Sequence, residues 1–124
     1  MKLSQFLSIS SILALVFGIG FVLAPVELLA QYGIAADKQT AFLGRLYGSA
    51  LVELGLLVWI ARALVDPLGR RAIVLSGLVA TVLALVIALY GQLTDVTNAL
   101  GWTTVVIFAL LAIGYAYFQF TAKT

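Results

Sequence analysis

An all-α membrane protein is the fold class that the sequence predicts: four transmembrane helices in an up-down-up-down bundle, with both termini cytoplasmic. Three observations predict it. Of 124 residues, 64% are hydrophobic and only 10% charged, with a mean hydropathy of +1.17, against soluble averages of roughly half apolar and a quarter charged. Four apolar runs, 6–24, 41–61, 72–90 and 102–120, are each long enough for a hydrocarbon core of about 30 Å. The basic residues flanking those runs fall almost entirely on one side. The whole chain, 1–124, is expected to form a single four-helix transmembrane domain.

The first span, 6–24, covers about 28 Å at 1.5 Å per residue. It exceeds the apolar region of a signal peptide, and Leu28-Leu29-Ala30 is a poor cleavage site, so it is expected to be retained. Pro25 removes a backbone donor and disturbs the turn before it, making 26–30 either a kinked extension or a short interfacial helix. Glu27 then lies near the headgroups.

The polar connector 31–40 is short enough to return the chain antiparallel into the second span, 41–61. Asp66-Pro67-Leu68-Gly69 has the residue preferences of a type I turn and closes that span. Arg70 and Arg71 then precede the third span, 72–90, and a polar loop over 91–98 leads to the fourth, 102–120. Lys2, Arg62, Arg70, Arg71 and Lys123 flank one side and Lys38 the other, which predicts cytoplasmic termini and argues against dual topology. Aromatic belts are expected at both interfaces: Phe6, Trp59, Tyr117, Phe118 and Phe120 inside, Phe21, Phe42, Tyr47, Tyr90 and Trp102 outside.

Much chemistry is excluded. With no Cys and no His, thiol redox, disulfides, Cys or His metal sites, and Ser-His or Cys-His nucleophiles are unavailable. No catalytic residue and no metal site is predicted. The net charge of +2 comes from seven scattered Lys and Arg residues rather than a basic patch, so nucleic acid is not an expected partner. No cofactor is predicted either, although a bound lipid, quinone or pigment is compatible with so apolar a chain.

The second span carries the informative residues. Ala41, Gly44, Gly48, Val52 and Gly55 share one narrow helical stripe, with Gly44 and Gly48 forming a GxxxG pair. The stripe suits tight packing within the bundle, or an assembly face. Beside it, Arg45, Ser49 and Glu53 recur at i, i+4 and i+8 and are expected to look into the bundle. Arg45 is shallow and is expected to snorkel, pairing with Glu27 or with carbonyls freed by Pro25. Glu53 is deep. Its candidate partners are Ser49, Ser76, Thr81 and Tyr115, and two readings stay open: a neutral carboxyl donating a hydrogen bond, or a proton- or cation-coupled carboxylate.

The run Gly44-Arg45-Leu46-Tyr47-Gly48-Ser49-Ala50, with Gly55 downstream and Trp59-Ile60-Ala61-Arg62 at the end, resembles small bacterial four-helix membrane proteins of the DoxX-like kind. The resemblance implies a four-helix bundle in a bacterial inner membrane and little about activity. Small multidrug exporters are similar in length, but their membrane-embedded Glu belongs to the first span, where this chain has none. Small fluoride channels are similar in size, yet the third span here lacks their Asn and Phe pattern.

The function expected from these residues is that of a non-enzymatic structural or accessory subunit, acting through helix packing by self-association or within a larger membrane complex. The alternative is a small proton- or cation-coupled transporter or channel built on Glu53, with Ser49 and Tyr115 along its path. An enzyme of lipid or quinone chemistry finds no paired acid and base.

Overall fold

The boundaries of the helices follow from a few capping residues. In the computed structural model, which describes residues 1–121, the chain forms α1 (Leu3–Leu23), α2 (Pro25–Gln31), α3 (Lys38–Ala61), α4 (Pro67–Leu93) and α5 (Gly101–Thr121), with no strand among the described residues. All but α2 are long and apolar enough to cross a membrane. Lys123, counted above among the flanking cations, lies outside the described residues.

At the end of α1, Ala24 leaves the helical region with φ −143° and ψ 61°, and Pro25 starts α2 at its first position. Proline's fixed φ and missing N–H suit that position. Residues 25–31 are therefore a separate short helix rather than a kinked extension of the first span. Pro25 itself is fully buried, while Glu27 is exposed.

Asp37 caps α3: its carboxylate accepts from the Thr40 backbone N–H at 2.7 Å, which satisfies one of the orphan donors of the first turn. Those hydrogen bonds hold its pKa below the ordinary value of 3.8. Asp66 does the same for α4, accepting from Gly69 N–H at 2.8 Å, with Pro67 at the first helical position. The Asp66–Gly69 segment is thus not a turn that ends before the next helix. It is the first turn of α4 itself, because the backbone of a type I turn continues into a helix without rearrangement. Arg70 and Arg71 accordingly lie inside α4, whose 27 residues extend about 40 Å and so exceed the bilayer core unless the helix tilts or protrudes.

The helices pack as two pairs. In the first, α3 lies along α1. A Cβ at Gly48 would sit 2.7 Å from the Gly18 carbonyl oxygen and 2.8 Å from Phe21 Cβ, and one at Gly18 would sit 2.9 Å from the Gly48 oxygen. Gly55 faces Leu15, and Gly44 faces Pro25, Leu29 and Phe21. Higher numbers on α3 thus meet lower numbers on α1. Without apolar solvent exclusion to drive them together, membrane helices gain by close van der Waals approach, and glycine allows it.

The second pair is α4 with α5, where a side chain at Gly77 would overlap the Tyr115 ring. The pairs meet at one end through a cluster of Leu3, Phe6, Leu7, Val58, Val74, Tyr115 and Phe118. Phe6 stacks edge-on against Tyr115, with centroids 4.8 Å apart, and tilts against Phe118 at 5.6 Å. Phe6 and Phe118 are therefore core residues, not members of an interfacial belt. Trp59, Phe42, Tyr47, Tyr90, Trp102, Tyr117 and Phe120 do remain exposed.

At the other end Asn98 joins the pairs. Its backbone N–H donates to the Tyr32 carbonyl at 2.9 Å and its side-chain amide to the Gln31 carbonyl at 3.1 Å. Gly33 adopts φ +79° against Asn98, and a Cβ there would meet the Asn98 side chain at 3.2 Å.

Gly48→Ala is expected to destabilise the protein by about 1–3 kcal/mol in detergent unfolding titrations, since backbone stands on the other side. Gly20→Ala, whose Cβ would meet only the Leu28 methyl at 3.3 Å, should change stability far less.

For Asp37, the depressed pKa means that the cap stabilises α3 at neutral pH and is lost as pH falls through the folded-state value. The Thr40 amide proton shift, followed by NMR in micelles, should titrate with a midpoint below 3.8. Asp37→Asn should keep the cap and flatten that titration.

Candidate functional site

Two places concentrate polar side chains within the spans. The first is the outer face of α3. Because the Gly44–Gly48–Gly55 edge is turned onto α1, helical geometry places Arg45, Ser49 and Glu53 about 60°, 100° and 140° around from Gly48. All three are exposed. The expectation that this trio looks into the bundle is corrected: it faces outward, because glycine packing sets the rotation of α3 and the polar stripe takes the direction left over.

The hydrogen bonds agree. Arg45 Nε donates to the Val22 carbonyl at 3.3 Å, one of the carbonyls left without a helical donor where α1 ends. It makes no hydrogen bond to Glu27, so the ion pair is not formed and the freed carbonyl takes its place. Ser49 Oγ donates back to the Leu46 carbonyl at 2.8 Å.

Glu53 bonds to none of its four expected partners. Ser76 donates to the Ile73 carbonyl at 3.1 Å, Thr81 to the Gly77 carbonyl at 2.7 Å, and Tyr115 pairs with Ser10. Leu46, Leu56 and Ile60 are also exposed, so Glu53 is a carboxyl set in an apolar outer surface.

The second place lies between the two helix pairs, which touch at their ends and leave a cavity of about 770 Å³ along their length. Leu51, Leu54 and Leu57 of α3 line one wall, Ala80, Ala84 and Ala88 of α4 another, and Phe108 and Leu111 of α5 a third. None of Arg45, Ser49 or Glu53 lines it, whereas Tyr115 does. There Tyr115 Oη lies 2.9 Å from Ser10 Oγ, and either hydroxyl is a competent donor. Both residues are buried, at 3% and 9% exposure.

Of the residues singled out from sequence, the fold keeps Arg45, Ser49 and Glu53 on one face, separates Tyr115 from them, and assigns Gly44, Gly48 and Gly55 to contact with α1. Sequence reasoning missed Ser10. Its signal was depth: Ser10 is about 10 Å from the start of α1 and Tyr115 about 9 Å from the end of α5, so two ends on one side bring them level. Asn98 was also missed, hidden in a stretch read only as a polar loop. Among the described residues, no three of His, Cys, Asp and Glu gather as a metal site would require.

No family model, no curated protein and no solved structure matches this chain.

Proposed function

We propose that the protein is an accessory subunit of a membrane assembly and docks through the outer face of α3. The observation that carries this reading is the exposure of Arg45, Ser49 and Glu53 on a helix otherwise suited to lipid contact. Glu53 lies eight residues from the end of α3, about 12 Å along the axis, too deep for its short side chain to reach water. A charge at such depth costs about 2.5–3.5 kcal/mol on insertion scales. A neighbouring chain that presents a hydrogen-bond donor there offsets that cost, and lipid does not.

The reading includes an up-down-up-down arrangement, supported by the opposed register of α1 with α3 and by that of α4 with α5, where Gly77 meets Tyr115 and Gln92 meets Gly101. It also includes cytoplasmic termini, supported by the clustering of Lys2, Arg62, Arg70 and Arg71 on one side. A bacterial inner membrane and membership of the DoxX-like proteins rest on the resemblance of residues 44–50. Self-association through the Gly44–Gly48–Gly55 stripe is not part of the proposal, because α1 occupies that stripe. The transport reading has no comparable support, since Glu53 faces away from the cavity that a path would follow.

Glu53→Leu separates docking from folding. The isolated protein should unfold no more easily than wild type, because the change removes a lipid-facing carboxyl. In native membranes, however, the larger complex on native gels and the co-purifying chain should fall at least tenfold. An undiminished complex would count against α3 as the docking face.

A further inference from the structure

The cavity between the helix pairs is independent of the docking face, and its shape and chemistry point to a ligand. It is lined from Ile73 to Gly91 along α4, about 27 Å at 1.5 Å per residue. Its volume of about 770 Å³ falls within the usual range of small-molecule sites. Among the described residues, no Asp, Glu, Lys or Arg lines it. Ordered water needs two to four polar partners, and the long Leu, Ala and Phe walls do not supply them. Such a space suits an uncharged hydrocarbon chain.

One end differs from the walls. Ser10 and Tyr115 both line the cavity, and their hydroxyls share a single hydrogen bond. Two hydroxyls carry two protons, and one proton suffices for the bond between them. The other has no acceptor among the described residues, although Ser10 and Tyr115 are more than nine-tenths buried. A buried donor left unpaired is costly, so the site calls for an acceptor oxygen. Thr81 and Ser76, also on the lining, direct their hydroxyl protons to carbonyls of their own helix. Tyr32, Tyr47, Tyr90 and Thr104 on the lining make no hydroxyl hydrogen bond either, but they are exposed or only half-buried, so the deeply buried free donor sits at the Ser10–Tyr115 end.

We propose that the cavity binds an uncharged acyl ester of the membrane, its chain lying between α3, α4 and α5 and its carbonyl accepting from the Ser10–Tyr115 pair. The walls select a chain, the absence of charge selects a neutral lipid, and the unpaired hydroxyl selects an ester over a plain hydrocarbon.

Native mass spectrometry of the full-length protein, loaded in detergent with monoolein or with 1-octadecene, tests this. The expected result is one monoolein retained per chain and at least tenfold less octadecene. Ala84→Phe, which fills the middle of the cavity, should abolish retention while circular dichroism and size-exclusion behaviour stay as in wild type. Tyr115→Phe should lower monoolein retention about 3- to 10-fold and leave octadecene unchanged. If Ala84→Phe does not fold, the wild type still decides: a monoacylglycerol with a mid-chain diazirine should label Ala80, Ala84 or Phe108. Absence of a one-to-one adduct, equal retention of the two probes, or labelling confined to outward residues such as Val16, Leu83 and Leu110 would overturn the proposal.

Discussion

The backbone contact between Gly18 and Gly48 is the constraint on which the rest of the structure depends. Two helices that approach so closely have little freedom to rotate about their axes, because any side chain turned into the contact meets backbone. With Gly48 fixed against α1, each other position on α3 has an assigned direction. Leu51, Leu54 and Val58 turn toward the α4–α5 pair, Ser49 and Glu53 turn away from it and from α1, and Arg45 lies at the edge where it still reaches the Val22 carbonyl of α1. A packing contact without any polar chemistry thus determines where the polar chemistry points.

The second consequence concerns what lies between the helix pairs. Each pair closes on small residues, Gly18 with Gly48 and Gly77 under Tyr115. The pairs themselves are held together mainly at their ends, by the Phe6–Tyr115–Phe118 cluster and by Asn98. Between those ends the facing side chains are Leu and Ala of unequal length, and they do not meet. The resulting cavity is bounded by rigid spans and stitched at both ends. Its deeply buried spare hydroxyl proton, shared between Ser10 and Tyr115, sits where the aromatic cluster begins.

How much of this was legible in the sequence depends on which physical signal reports it. Hydropathy over 18 or more residues locates all four spans, because the bilayer demands that length whatever the packing. The caps were partly visible: Asp66-Pro67 was read as a turn because its residues suit a turn and a helix start equally. The glycine stripe was visible as a stripe, but its partner was not, since α1 offers Gly18 without any GxxxG pattern of its own.

The direction of Glu53 was misread for a related reason. Polar residues in a span usually face inward, but in α3 the glycine contact sets the rotation and overrides that tendency. Had Gly48 been taken as the contact with α1, the angle of about 140° to Glu53 would already have placed the carboxyl outside. Phe6 and Phe118 were assigned to a belt by their nearness to the span ends, where burial by a neighbouring helix competes with interfacial anchoring. The Ser10–Tyr115 pair requires a match between residues more than a hundred positions apart, which only depth could have suggested.

The rotation of α3 is the central claim, and spin labelling tests it most directly, since a chain without Cys accepts a nitroxide at a single introduced position. Labels at Ser49→Cys and at Leu51→Cys, compared in bilayers at low protein density, report opposite faces. The account predicts a mobile, oxygen-accessible nitroxide at 49 and a more restricted one at 51. An immobile, oxygen-protected label at 49 with a lipid-exposed one at 51 would contradict it.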